Sequence, residues 1–173
     1  KIKFGIIGLG GISQLIHLPD LYRNKEVEIT AIADINKNAL HEVASKFKVS
    51  HAFTDYHKML EQVEIDAVIV ATPTKSHMQI ALDCLNAGKH ILVEKPLART
   101  IDEAQKIADT AKEKGLIAMV GMNMRYRPDI MLLKGIINSG DLGDPFFVKC
   151  SWFKSQSSSS KWFTKKDESG GGV

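Results

Sequence analysis

Five short stretches rich in Ile and Val, Ile2 to Ile7, Val27 to Ala33, Asp66 to Ala71, His90 to Val93 and Ile117 to Val120, are each too brief for a helix and too apolar for a surface loop. Runs of this kind predict strands buried on both faces. Between them lie amphipathic stretches, Ile12 to Tyr22, Asn38 to Phe47, Tyr56 to Gln62, Ser76 to Ala87 and Ile101 to Lys114, whose apolar residues return at three-to-four spacing and predict helices. Apolar strands alternating with helices imply a parallel sheet covered on both sides and joined by right-handed crossovers. The fold class is therefore α/β, a doubly wound parallel sheet. Gly88 and Gly115 stand where two helices should stop, and Asp55 and Thr100 where two should start.

After Gly121 the rhythm changes. One helix over about 128–138 leads through Gly140, Gly143 and Pro145 into an alternating strand, Phe146 to Phe153, which reads as the opening of a second, α+β domain. The expected division is 1–122 for the doubly wound domain and 123–173 for the truncated start of the other. Ser155 to Ser160 is nearly all serine and reads as a surface loop, because nothing in it can bury apolar area.

Composition excludes several classes. A net charge of +3 is spread among scattered acids and bases, so no basic stripe marks a nucleic-acid partner. No apolar run approaches the roughly 20 residues of a membrane span. Cys84 and Cys150 show no zinc-like spacing and no signal peptide opens the chain, so the expectations are no metal and a reducing cytoplasm.

Gly8, Gly10 and Ser13, with Gly11 among them, form a G-x-G-x-x-S pattern directly after the first strand. In that position Gly8 permits a tight turn, Gly10 lets a pyrophosphate approach the backbone, and small Ser13 lets helix and strand pack closely. The amides of Gly11 and Ile12 then open the helix toward the phosphates. A plain strand-helix turn would leave the next acid unexplained: Asp34 ends the second strand a little over 20 residues on, where a dinucleotide site places a carboxylate on the adenosine ribose. That acid favours NAD; Lys37 nearby blunts its repulsion of a 2′-phosphate, which keeps NADP as the alternative. Asp34 could also cap the helix that follows.

Three further segments follow later strands: Ala71-Thr72-Pro73-Thr74-Lys75-Ser76-His77, Glu94-Lys95-Pro96, and Gly121-Met122-Asn123-Met124-Arg125-Tyr126-Arg127-Pro128. Strand ends of an open α/β sheet face the ligand crevice, so these segments should converge on the nicotinamide. In this order of motifs the chain resembles the Gfo/Idh/MocA family over essentially its whole length. The resemblance implies a Rossmann domain followed by a domain on an open, largely antiparallel sheet. It also implies an NAD(P)-dependent oxidoreductase that moves hydride between the nicotinamide and a sugar, cyclitol or related polyhydroxy substrate. Lys95 would be the catalytic group at the substrate oxygen, Glu94 would line the cofactor site, and Thr72, Pro73 and His77 would wall it, a helix-start role being the alternative for His77. Asn123 would stand near the active site, the Lys95–Pro96 bond would be cis, and the full-length protein would be a homo-oligomer. The family's Asp and His partners for the lysine are expected beyond Val173, and the chain alone is expected to be inactive.

The alternatives are a non-catalytic NAD(P)-binding sensor and another type of Glu-Lys-Pro Rossmann enzyme, the latter requiring phosphate-binding residues that are not identifiable here. Of the other histidines, His17 and His90 read as packing or capping residues, and His41, His51 and His57 as surface ones. Trp152, Trp162 and the nearby phenylalanines read as core or interface of the second domain, ahead of a stacking platform for sugar rings.

Overall fold

The computed structural model describes residues 1–151 and 165–170. Six parallel strands form one sheet: β1 (Ile2–Ile7), β2 (Val27–Ala33), β3 (His51–Phe53), β4 (Ala67–Val70), β5 (His90–Val93) and β6 (Ala118–Val120). Their order across the sheet is β3-β2-β1-β4-β5-β6. The chain therefore walks outward from β1 in one direction, returns, and walks outward in the other. The reversal opens a crevice between β1 and β4 at the C-terminal strand ends, the position at which such sheets take their ligands.

Five helices cover the two faces: α1 (Leu18–Arg23), which continues a π turn at Ser13–His17, α2 (Lys37–Phe47), α3 (Tyr56–Gln62), α4 (His77–Asn86) and α5 (Ile101–Glu113). Successive strand residues point to opposite sides. Ile6, Ile32 and Ile69 enter a core with Leu18 of α1 and Leu40, Val43 and Phe47 of α2. Their neighbours Ile7, Ala33, Val68 and Val70 enter a second core with Met59 of α3, Ile80 and Leu85 of α4 and Ile107 of α5. Burial on both sides is why these strands carry continuous apolar runs.

Local signals set the helix ends. The Asp55 carboxylate accepts from the His57 amide at 3.0 Å and Thr100 Oγ1 from the Glu103 amide at 3.2 Å, as N-caps do. Gly88 and Gly115 follow the last turns of α4 and α5 with φ of 75° and 64°. At α2 the N-cap is Asn36, which accepts from the amides of Asn38 and Ala39; Asp34 is not the cap.

Two elements depart from expectation. The strand β3 has no apolar run of its own; the edge of β2 recruits it, pairing Ala31 with His51 and Ala33 with Phe53. The expected strand from Phe146 is absent as far as Ser151. Phe146, Phe147 and Val148 are 99%, 75% and 78% exposed, and with no described strand beside them there is no ladder to join. Trp152, Phe153, Ser155 to Ser160, Trp162 and Phe163 lie outside the described residues.

The chain divides into two compact units, with the boundary between Gly121 and Met122. The second contains a 3₁₀ turn, Asn123–Tyr126, and α6 (Pro128–Ser139). The tail helix α7 (Lys166–Ser169) goes with the first unit, where Arg99 Nη1 donates to the Asp167 carbonyl at 3.4 Å. Among the described residues no helix is long and apolar enough to cross a membrane, and no cluster of His, Cys, Asp and Glu is placed to hold a metal. Cys84 is fully buried, which pushes its thiol up to about 12; Cys150 is exposed.

Candidate cofactor and active site

Hydrogen bonding continues one residue past the end of most strands. The Gly8 amide donates to the Ala33 carbonyl at 2.9 Å, Asp34 to Phe53 at 3.1 Å, Ala71 to Ile7 at 2.8 Å, Glu94 to Val70 at 2.9 Å and Gly121 to Val93 at 2.8 Å. Gly8, Asp34, Ala71, Glu94 and Gly121, spread over more than a hundred positions of sequence, thus form one row along the C-terminal rim of the sheet.

On the β1–β2 side the row is shaped by backbone. Gly8 has φ +93°, a conformation that L side chains rarely adopt, and a Cβ there would lie 2.5 Å from the Ala71 carbonyl oxygen. Glycine is therefore required twice over, for the turn and for the close approach of the β4 end. Gly10 and Gly11 are exposed, and a Cβ on either would meet nothing within 4 Å. The first helical bond runs from the Gln14 amide to the Gly10 carbonyl, so the amides before it have no helical acceptor and border open space. Ser13 is buried with its Oγ donating to the Gly8 carbonyl at 2.6 Å, which ties helix to strand. Asp34 Oδ2 accepts from the Leu9 amide at 2.6 Å and Oδ1 from the Asn36 amide at 2.7 Å. The carboxylate is thus fixed beside the glycine turn with lone pairs remaining for ribose hydroxyls.

The β4–β5 side is shaped by side chains. Glu94 Oε1 meets His17 Nε2 at 2.9 Å, both side chains being largely buried, and Oε2 accepts from the Lys95 amide at 3.2 Å. Burial pushes the Glu94 carboxyl up, but the hydrogen bond and charge of His17, with the amide and charge of Lys95, outweigh it and hold the group below the usual glutamate value. Gly121 closes over this carboxylate: a Cβ on it would stand 3.2 Å from Oε1. The Lys95 side chain is exposed and makes no hydrogen bond or ion pair among the described residues. The Lys95–Pro96 peptide bond is cis.

Behind this turn lies His77, 1% exposed, with Nδ1 2.9 Å from the Pro96 carbonyl oxygen and Nε2 2.8 Å from that of Thr72. A ligand cannot reach this ring without displacing one of the two loops; what the ring supports directly is the backbone of Thr72 and Pro96. Thr72 is half-buried, its hydroxyl accepting from Ser76 Oγ at 2.9 Å, and Pro73 and Ile12 are exposed. Asn123 opens the 3₁₀ turn of the second unit and is exposed. His17, expected only to pack or cap, is the residue that the sequence reading missed. Its partner lies 77 positions away, and nothing in the apolar stretch around it signals a carboxylate.

A parallel sheet of this order with a glycine turn at its switch point defines a dinucleotide-binding protein. A family model described as an oxidoreductase family with an NAD-binding Rossmann fold matches residues 2–122, and the chain belongs to that family. It is 30% identical over 148 residues to the myo-inositol 2-dehydrogenase of Thermotoga maritima, an alignment covering 86% of this chain and 44% of that protein. Scyllo-inositol dehydrogenase from Lactobacillus casei, solved with NAD(H) and scyllo-inositol, superposes with a TM-score of 0.79 at 27% identity, covering 83% of this chain and 43% of that one. A 3-ketoreductase from Actinomadura kijaniata, solved with NADP and TDP-benzene, gives 0.75 at 29% identity over 80% of this chain and 42% of that one. The chain spans less than half the length of these relatives.

Proposed function

We propose that this chain supplies the cofactor-binding half of an NAD-linked dehydrogenase or reductase acting on the CH–OH group of a sugar, cyclitol or related polyhydroxy compound. The observation that carries the reading is the single row that sets Gly8, Asp34 and Glu94, with Lys95 next to it, along one rim. Gly10, Gly11 and Ile12 present free first-turn amides to the pyrophosphate. Asp34 accepts the adenosine ribose hydroxyls and repels a 2′-phosphate, which favours NAD over NADP. Thr72, Pro73 and Glu94 border the nicotinamide end.

A nicotinamide held here would supply the hydride acceptor for oxidation and the hydride donor for reduction. Lys95 handles the proton: as the amine it takes the hydroxyl proton while the carbinol carbon is oxidised, and as the ammonium it returns that proton to the carbonyl oxygen during reduction. The similarity to inositol dehydrogenases makes cyclitols the first substrates to try. The exposed Phe146, Phe147 and Val148 suit burial against further chain or a second copy, which supports a homo-oligomer. Two unpaired thiols suit a reducing, cytoplasmic setting.

The test uses the full-length protein with NAD and myo-inositol, following NADH absorbance. Lys95→Ala should lower turnover by about 100-fold or more while leaving the unfolding midpoint in place, because the side chain is exposed. Turnover retained in that variant removes Lys95 from the chemistry. NAD binding without turnover over a wide polyol panel favours the sensor reading.

A further inference from the structure

Lysine carries its amine on a flexible four-carbon stem, and Lys95 has no side-chain partner among the described residues that would fix it. Where the amine can reach is therefore set by the backbone on either side. The sheet stops helping at this point: Glu94 makes the last ladder bond of β5, to the Val70 carbonyl. Beyond it the Lys95 amide is held by the Glu94 side chain, which is held in turn by His17. Pro96 has no amide hydrogen to offer, and its carbonyl faces His77. The residue before the lysine and the residue after it are thus each gripped by a histidine from a different part of the chain, His17 partly exposed and His77 buried.

We propose that His17 and His77 are a pair of positioning residues that bracket Lys95 and set its place at the cofactor rim. The proposal rests on the reading of Lys95 as the proton-transfer group. His17 reaches Glu94 from the π turn that follows the glycine loop, so the segment that binds pyrophosphate also orients the lysine. His77 joins the end of β4 to the end of β5, because its two nitrogens lie on carbonyls of both.

Plain packing does not explain this arrangement. A buried neutral ring has one N–H to donate and one lone pair to be satisfied, so packing alone calls for an acceptor at one nitrogen and a donor at the other. His77 has carbonyl oxygens at both nitrogens, with only the Pro96 arm touching the lysine turn. The two arms can be separated chemically: an asparagine amide nitrogen overlays Nδ1 and a glutamine amide nitrogen overlays Nε2. His77→Asn therefore retains the grip on Pro96 and drops Thr72, whereas His77→Gln does the reverse. At His17, whose contact is through Nε2, glutamine is the conservative change and leucine the disruptive one.

The experiment uses the full-length protein and two independent readouts. One is the rate at which trace acetic anhydride acetylates Lys95, measured by mass spectrometry of its peptide and needing no substrate. The other is kcat, KM and NAD affinity with myo-inositol. His17→Leu and His77→Gln should change Lys95 acetylation by about threefold or more, since amine reactivity follows its surroundings. They should also lower kcat by about 10-fold to 100-fold, the cost of misplacing a reacting group, with NAD affinity little altered. His17→Gln and His77→Asn should recover most of both losses. Equal behaviour of the Asn and Gln variants at 77, or unchanged acetylation and kcat in His17→Leu, overturns the proposal and leaves both histidines as packing residues. If the position-77 variants fail to fold, the His17 pair decides alone. If the wild type oxidises no polyol but acetylation still divides along these lines, the bracket stands and the dehydrogenase reading falls.

Discussion

The two sides of the rim are shaped by different means. On the β1–β2 side, shape comes from the main chain: a left-handed Gly8 pressed against Ala71, and the Leu9 amide directed into Asp34. On the β4–β5 side, shape comes from side chains, His17 meeting Glu94 across 77 positions and His77 meeting the Pro96 carbonyl across 19. The first kind of construction tolerates almost no change at one position. The second spreads the task over several residues, each replaceable by a group with the same donor.

That contrast can be broken at Gly8. Gly8→Ala places a Cβ 2.5 Å from a backbone oxygen at φ +93°, and should destabilise the fold by about 3 kcal/mol in urea unfolding. A loss below about 1 kcal/mol would mean that the glycine side adapts as readily as the other.

A smaller effect sharpens the lysine side. The Glu94 carboxyl is held below its ordinary value of 4.5, so its stabilising share is fully present above that value and is lost as pH falls through the lower, folded one. Wild-type stability measured from about pH 6 down to about 3.5 should include this decline, and Glu94→Gln should lack that part of it. Identical pH profiles would show that the His17–Glu94 contact contributes nothing in solution.

The smallest expected change lies at the end of α2. Lys48 is the one described non-glycine residue with positive φ, 55°, and it is the C-cap of α2. Lys48→Gly should stabilise by about 0.5 kcal/mol, relief of left-handed strain slightly exceeding the added chain entropy. A destabilising result would show that its side chain does more than end α2.

The same contrast explains what could be read beforehand. Strands and helices followed from periodicity, and Gly8, Gly10, Asp34 and the Glu94-Lys95-Pro96 turn from short-range spacing, because each is a property of neighbouring residues. The strand β3 was illegible because His51–Phe53 becomes a strand only through β2. Phe146 onward alternates like a strand, yet an alternating pattern without a partner makes no ladder as far as Ser151. The role of His17 depends on how a helix from one end of β1 lies against the end of β5, and no window of sequence contains both.

The π turn at Ser13–His17 places one surplus residue in a helix that begins at the glycine loop and ends against the core through Leu18. Each residue of an α-helix advances about 100° around its axis, so the wider turn resets the angular phase between the two ends. Phosphate-facing amides and a core-facing leucine can then keep their separate bearings while His17 swings inward. Excising a single residue from that turn would return the helix to regular winding and rotate either the imidazole or the leucine off its target.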